Sequence, residues 1–117
     1  VLLEKGFENG ENEGLGWIRG SVNKLKVKNN PIPHMGWNDI NIVKESRILN
    51  EIDDLSSFYF LHSYAIDTEE KNILTTTIYE NPFCSSLANN NIYGVQFHPE
   101  KSQKFGQIIL KNFLEIQ

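Results

Sequence analysis

The sequence predicts an α/β layer structure in which several strands are covered by a final helix. Aromatic and β-branched residues are concentrated in three runs, at residues 57–65, 73–79 and 83–97, as is typical of strands. Apolar residues in 101–116 recur at the spacing of an amphipathic helix, at Phe105, Ile108, Ile109, Phe113 and Ile116. Because strands outnumber helices, we expect one side of a layered α/β domain and not a complete doubly wound sheet.

The first third of the chain is predicted from local signals. Residues 1–8 predict the end of a helix that Asn9-Gly10 terminates, and the acidic, Gly-rich stretch that follows predicts a loop. The partly alternating residues 21–28 predict a strand. The Pro-rich residues 31–38 predict a loop.

Shorter elements are predicted between and within the three runs. Residues 40–43 predict a short strand, and apolar residues at helical spacing in 48–55 predict a short polar helix. The run 83–97 is interrupted by Asn89-Asn90-Asn91, which predicts a hairpin. Ser102 is the predicted N-cap of the final helix.

Size and composition argue against several classes of function. The 117 residues suit one compact domain, and the net charge is −4 with 11 basic and 15 acidic residues. The basic residues do not cluster, which argues against a nucleic-acid partner. No apolar run approaches membrane-spanning length. The single cysteine, Cys84, excludes an intrachain disulfide and favours a reducing, cytoplasmic location.

His98 and Glu100 form the candidate catalytic pair. Proline confines the residue before it to extended backbone, so both side chains can point the same way and face a common partner. A carboxylate on one imidazole nitrogen orients the ring and leaves the other nitrogen to act as a base. The plainer explanation is a histidine at a strand end, followed by a first-turn glutamate that favours the helix dipole.

The pair has no evident nucleophile in this chain. Cys84 lies within a predicted strand and not at the helix N-terminus or sharp turn that lowers a thiol pKa. It is more simply explained as a small packed side chain. Ser63 lies at a strand end without the pattern of a nucleophile elbow.

Neither a metal nor another cofactor is predicted. The histidines His34, His62 and His98 lie on separate segments without the spacing of a metal site. Trp37, in the Pro-rich loop, suits an interface as well as a core, because Trp combines a large apolar area with one polar atom.

Three motifs follow one another along the chain: Pro33-His34-Met35-Gly36-Trp37-Asn38, Tyr59-Phe60-Leu61-His62-Ser63-Tyr64 and Tyr93-Gly94-Val95-Gln96-Phe97-His98-Pro99-Glu100-Lys101-Ser102. Gln-Phe-His-Pro-Glu is common to class I, triad-type glutamine amidotransferases, whereas Pro-His-Met-Gly-Trp-Asn is narrower. Together, over nearly the whole chain, they resemble the glutaminase subunit of imidazole glycerol phosphate synthase, an enzyme of histidine biosynthesis. The resemblance implies that residues 1–117 form the C-terminal portion of a single flavodoxin-like, three-layer domain.

The resemblance implies that His98 and Glu100 are the second and third members of a catalytic triad. The family's cysteine lies in a Gly-rich strand-to-helix turn, and this chain has no such segment. The sequence starts with Val1 and not with methionine, and residues 1–7 resemble the helix that follows that turn. We therefore expect a piece of a longer protein that begins just after the nucleophile.

Further residues take roles from the same resemblance. Three match positions around the glutamine substrate: Glu8, Ser63 and Tyr64. Three others match positions that face the partner and the path of ammonia: Trp37, Tyr59 and Lys101. The implied partner is a (β/α)₈-barrel cyclase subunit, with which the family forms a heterodimer.

The implied reaction is hydrolysis of glutamine through a thioester. A thiolate attacks the side-chain carbonyl, and His98 protonates the departing ammonia before it activates water. Backbone N–H groups stabilise the oxyanions, and shielding from water keeps ammonia nucleophilic. Two alternatives stay open: a paralogue that supplies ammonia for amidation of a surface sugar, which Leu15-Gly16-Trp17-Ile18 resembles as well, and a non-catalytic interaction module with the same fold.

Overall fold

The computed structural model describes residues 3–6, 12–13 and 18–116, with side chains from residue 20 onwards. This part of the chain forms ten strands, three short 3₁₀ helices and one α-helix. The strands are β1 (Leu3–Gly6), β2 (Asn12–Glu13), β3 (Ile18–Lys24), β4 (His34–Asp39), β5 (Asn41–Ile42), β6 (Ser57–His62), β7 (Tyr64–Thr68), β8 (Ile73–Tyr79), β9 (Asn81–Asn89) and β10 (Ile92–Val95). The 3₁₀ helices are Arg47–Leu49, Glu70–Asn72 and Pro99–Lys101, and the α-helix is α1 (Gln103–Ile116).

The strands form a large sheet and a separate two-stranded ribbon. The large sheet runs in the order β2-β1-β3-β7-β9-β8-β5, with β10 also paired to β9. Only the β1–β3 pair is parallel among the described pairs. The ribbon consists of antiparallel β4 and β6, in a register that sets His34 opposite His62 and Trp37 opposite Tyr59.

The hydrophobic core lies between the ribbon, the large sheet and α1. Phe58 and Phe60 of β6 are fully buried, and Ile109 of α1 joins the same cluster. Phe97, which follows β10, stacks on Phe58 with 4.2 Å between ring centroids. Burying a large apolar side chain stabilises the fold by roughly 1.5–3 kcal/mol. Buried and exposed side chains alternate along β6, and the buried ones hold the ribbon against the rest of the molecule.

The strongest sequence predictions are confirmed. The β-branched run is β8, the final helix is α1, and the hairpin pairs β9 with β10 around Asn90. Residues 21–28 are a strand only as far as Lys24, and the short strand at 40–43 is β5. These elements are confirmed because their pattern and their turn signals agree with their tertiary environment.

Two predictions near the start of the chain are wrong. Leu3–Gly6 is a strand and not a helix, since it pairs in parallel with β3 and antiparallel with β2. Local helix preference in so short a segment is readily overridden by such pairing. The predicted loop at 31–38 becomes strand β4 from His34 onwards, because its backbone groups pair with β6. The loop signal of Pro31 and Pro33 applies only to the residues before this strand.

Two further predictions are corrected in the middle of the chain. The helix at 48–55 is reduced to a 3₁₀ turn at Arg47–Leu49, because Glu51 and Leu55 adopt positive φ angles of 66° and 67°. Such angles interrupt a right-handed helix. The run 57–65 is divided at Ser63 into β6 and β7, which belong to different sheets. Aromatic patterning alone does not show where a chain leaves one sheet for another.

Ser102 and Gly106 fasten the start of α1 to the turn before it. The carbonyl oxygen of Ser102 accepts a bond from Gly106 N at 3.3 Å, so the predicted N-cap is correct in position. Its hydroxyl does not cap the helix and instead contacts Tyr59 and His98. A Cβ atom on Gly106 would lie 1.9 Å from the carbonyl oxygen of Pro99. Only glycine permits this close packing.

We predict that Gly106→Ala destabilises the protein by about 1–3 kcal/mol, because the new methyl group must push the Pro99 turn away from α1. The gain in helix propensity from Ala, about 1 kcal/mol, does not compensate for this. Chemical denaturation measures the change, with Gln107→Ala at the next, exposed position of α1 as the control. A variant of Gly106 as stable as the control would contradict the close packing.

Candidate active site

The His98 turn (residues 98–102) is held against β6 by two hydrogen bonds and is closed by a third. His98 N donates to the Tyr59 carbonyl at 2.8 Å, and Tyr59 N donates to the Ser102 hydroxyl oxygen at 2.9 Å. The same hydroxyl donates to the His98 carbonyl at 2.6 Å. The backbone on both sides of the His98 side chain is therefore tied to a strand that the core immobilises.

Within this turn, His98 and Glu100 contact each other directly. His98 has extended backbone angles, φ −99° and ψ 99°, and its Nδ1 lies 3.1 Å from Glu100 Oε2. The Glu100 side chain is 61% exposed and that of His98 is 35% exposed. Hydrogen bonds from its own backbone N–H and then from the His98 ring hold the pKa of the Glu100 carboxyl below its usual value. The structure thus brings together the two residues that the sequence pairs.

This arrangement suits proton transfer. A carboxylate only accepts hydrogen bonds, so the His98 ring carries its shared proton on Nδ1. In the neutral ring Nε2 then has a free lone pair, and it can take a proton from a nucleophile. A carboxylate placed in this way can orient the ring and stabilise an imidazolium.

A contiguous surface next to the His98 turn contains the three predicted partner residues. Lys101 Nζ lies 5.8 Å from the ring centroid of Tyr59, and the rings of Tyr59 and Trp37 meet edge-on at 6.0 Å. Trp37 is 51% exposed. Met35 and Leu61 form the next exposed pair on the same face of the ribbon. We call these five residues the ribbon surface; Leu61 was not singled out from the sequence, because its exposure depends on the register of β4 with β6.

Ser63 and Tyr64 lie where β6 ends and β7 begins, and we call these two residues the β6–β7 junction. The Ser63 carbonyl accepts a bond from Leu25 N at 2.9 Å. Within the described residues, no hydrogen bond joins either of them to His98 or Glu100. The predicted substrate residue Glu8 lies outside the described residues.

His34 and His62, which lie on separate segments of the sequence, are in contact in the structure. His34 Nδ1 and His62 Nε2 are 2.9 Å apart, and both residues are buried. Burial and the neighbouring His62 lower the pKa of His34 to about 4. Burial also lowers the pKa of His62, against the effect of its bond to the Tyr64 carbonyl, and His98 lowers it further. Both rings are therefore neutral near pH 7.

Cys84 is unsuited to act as a nucleophile. It is buried, and its thiol donates to the Ser86 carbonyl at 3.2 Å. Burial raises the pKa of Cys84 to about 12, so it is not ionised near neutral pH. Among the side chains described, no group of three His, Cys, Asp or Glu is placed to hold a metal ion. No helix in the described part of the chain is long and apolar enough to cross a membrane.

The chain belongs to the class-I glutamine amidotransferase family, since the family model "Glutamine amidotransferase class-I" matches residues 9–116. It is 47% identical over 119 residues to imidazole glycerol phosphate synthase subunit HisH of Pelagibacter ubique, an alignment that covers 99% of this chain and 57% of that protein. It is 48% identical over 115 residues to the protein of the same name from Pyrococcus furiosus, covering 97% and 58%. The chain thus spans about 57% of the length of such relatives. These matches confirm the family resemblance predicted from the three motifs.

A solved structure has the same fold. The crystal structure of a putative GMP synthase component from Thermoplasma acidophilum superposes with a TM-score of 0.67 at 21% identity. The match covers 83% of this chain and 48% of that chain. The predicted class, a strand-rich part of the class I amidotransferase fold with a covering helix, is confirmed.

We predict that acid destabilises the protein through His34. An unfolded histidine takes up a proton below about pH 6.5, whereas folded His34 stays neutral until about pH 4. The unfolded state therefore binds more protons in this window, and the free energy of unfolding falls as the pH falls through it. His34→Gln should reduce this slope while leaving the contribution of His62, measured by urea unfolding across the window. A variant with the slope of the wild type would contradict the assignment.

Proposed function

We propose that this chain forms the histidine–glutamate part of a glutaminase site in an imidazole glycerol phosphate synthase of histidine biosynthesis. Ammonia released from glutamine passes to a (β/α)₈-barrel cyclase subunit, with which the protein forms a cytoplasmic heterodimer. The observation that carries the proposal is the hydrogen bond between His98 Nδ1 and Glu100 Oε2 at 3.1 Å. The family match and the relatives that bear this synthase's name support it.

In the proposed reaction, His98 moves protons and Glu100 orients its ring. His98 Nε2 takes the proton of a thiol, whose sulfur forms a bond to the side-chain amide carbon of glutamine. The carbon–nitrogen bond then breaks, and ammonia leaves with the proton from the imidazolium. Water that gives a proton to Nε2 attacks the thioester, the carbon–sulfur bond breaks, and glutamate leaves with the thiolate restored.

We also propose that the thiolate comes from another part of the same amidotransferase domain, of which residues 1–117 form the C-terminal portion. Cys84 is the one cysteine of the chain, and its burial and raised pKa make it unsuitable. The greater length of the relatives is consistent with a further segment. Glu8, Ser63 and Tyr64 are proposed to hold the glutamine.

The ribbon surface is the proposed contact with the cyclase. Exposed Trp and Met side chains are typical of interface centres, and Lys101 above the Tyr59 ring adds a charge at the border of the patch. The surface lies directly beside the His98 turn, since Lys101 belongs to both and Tyr59 is hydrogen-bonded to the turn. Ammonia formed at His98 would therefore have a short path into the partner.

The first test is His98→Ala in the full-length protein, assayed for ammonia release from glutamine. We expect kcat to fall by about 10²–10⁴-fold, because proton transfer to ammonia and from water is lost. Glu100→Gln should cause a smaller loss, since the ring stays but its orientation and charge support are weakened. Glu115→Gln, which neutralises an exposed carboxylate on α1, is the matched control and should leave the rate of ammonia release unchanged. Retained activity of His98→Ala in a folded protein would remove His98 from the reaction.

The second test concerns the ribbon surface. Trp37→Ala should weaken binding to the cyclase about tenfold or more, because a truncated interface Trp typically costs at least about 1–2 kcal/mol. Titration calorimetry gives the dissociation constant. Val43→Ala, an exposed apolar residue outside the ribbon, is the control and should bind like the wild type. Equal affinities of the two variants would show that the partner binds elsewhere.

A further inference from the structure

An unbroken chain of hydrogen bonds, which the proposed reaction does not use, runs from the β6–β7 junction to β4. His62 Nδ1 lies 2.9 Å from the Tyr64 carbonyl oxygen, and His62 Nε2 lies 2.9 Å from His34 Nδ1. His34 Nε2 then lies 3.3 Å from Asn38 Nδ2. The two rings are only 3% and 9% exposed, so water does not substitute for these bonds.

The groups at the two ends of this hydrogen-bond chain determine which ring nitrogens of His62 and His34 carry the protons. A carbonyl oxygen only accepts, so His62 carries its proton on Nδ1 and accepts at Nε2. His34 therefore donates from Nδ1 and accepts from the Asn38 amide at Nε2. A 180° rotation of the Asn38 amide, which would exchange its nitrogen and oxygen, would break further hydrogen bonds. Nδ2 also donates to the Ile78 carbonyl at 2.9 Å, and Oδ1 accepts from Asp39 N at 2.7 Å.

The hydrogen-bond chain ends on the Tyr64 carbonyl, at the position where β7 begins to pair with β3. At the junction, the polypeptide leaves the ribbon and enters the large sheet. The Ser63 carbonyl is held by Leu25 N, and the Tyr64 carbonyl by the His62 ring. Residues from Tyr64 onwards pair with β3, and the His62 bond adds a side-chain contact to the Tyr64 carbonyl at the start of that pairing.

Packing alone does not account for two imidazoles at these positions. His34 stacks on Tyr79 at 4.1 Å and on Phe60 at 5.0 Å, and His62 lies 4.9 Å from Phe83. A phenylalanine would fill such an aromatic cluster without burying ring nitrogens, which are costly unless they are hydrogen-bonded. What the imidazoles add is the directed contact to the Tyr64 carbonyl.

We infer that His62, supported by His34 and Asn38, is a positioning residue that holds Ser63 and Tyr64 in the conformation that binds glutamine. This inference rests on the proposed function, in which these two residues line the substrate pocket. His62 touches neither substrate nor the reacting atoms, and it acts through the Tyr64 carbonyl.

Two substitutions of His62 separate positioning from packing. Both substitutions remove the ring. In His62→Asn the amide nitrogen takes the place of Nδ1 and keeps the hydrogen bond to the Tyr64 carbonyl. In His62→Gln the amide takes the place of Nε2 and keeps only the contact with His34. In the full-length protein, His62→Gln should raise KM for glutamine about five- to tenfold, the effect of one lost hydrogen bond, with a smaller change in kcat. His62→Asn should stay within about twofold of the wild-type KM.

Phe83→Leu is the control for packing. It removes the ring beside His62 and leaves the hydrogen-bond chain intact, so the melting temperature should fall while KM stays unchanged. Equal KM values for His62→Asn and His62→Gln, or a matching rise in KM for Phe83→Leu, would overturn the positioning role.

Two measurements decide the inference even if the wild-type protein does not hydrolyse glutamine, an outcome that would refute the proposed function alone. Nitrogen NMR of the wild-type imidazoles should show His34 and His62 protonated on Nδ1, and protonation of His62 on Nε2 would overturn the chain. Hydrogen exchange of the Tyr64 and Ala65 amides should be faster in His62→Gln than in His62→Asn. Identical exchange in the two variants would exclude positioning of the junction.

Discussion

The bonds between β6 and the His98 turn are the constraint on which the candidate site depends. Tyr59 donates to the Ser102 hydroxyl and accepts from His98 N, and the same hydroxyl closes the turn onto the His98 carbonyl. Because Ser102 is buried, water does not compete for these bonds. A catalytic imidazole must be held to within a fraction of an ångström. Here that precision comes from one strand and one hydroxyl, and the absence of a side chain at Gly106 lets α1 pack against the turn.

Strand β6 serves both the core and the surface because its side chains alternate. Phe58, Phe60 and His62 point into the molecule, and Tyr59 and Leu61 point to the ribbon surface. The same strand therefore joins the core, the His98 turn, the β6–β7 junction and the proposed partner contact. Its interior face contains one polar side chain, His62, and the structure satisfies both of its ring nitrogens. A change in the β4–β6 register would disturb all of these features together.

Local patterns predicted much of the fold. The β-branched run of β8, the hairpin of β9 with β10 and the amphipathic α1 each have a periodicity and a turn or end signal that agree. Patterning failed where pairing with a distant segment decides the structure. Leu3–Gly6 and β4 are strands because β3 and β6 lie beside them, and the chain changes sheets at Ser63 without any local signal. Hydrogen bonds between segments far apart in sequence outweigh local preference in such places.

The sequence by itself predicted the His98–Glu100 contact, and the structure forms it. Proline holds His98 extended as expected, but Glu100 reaches the ring through the 3₁₀ turn Pro99–Lys101 and not through continued extended backbone. The sequence also determined the family, through three motifs that occur in order. Only the tertiary structure decided that His34 meets His62 and that Trp37, Tyr59 and Lys101 form one surface. These contacts join residues from separate strands, and a strand's partner and register arise from burial and pairing across the whole molecule.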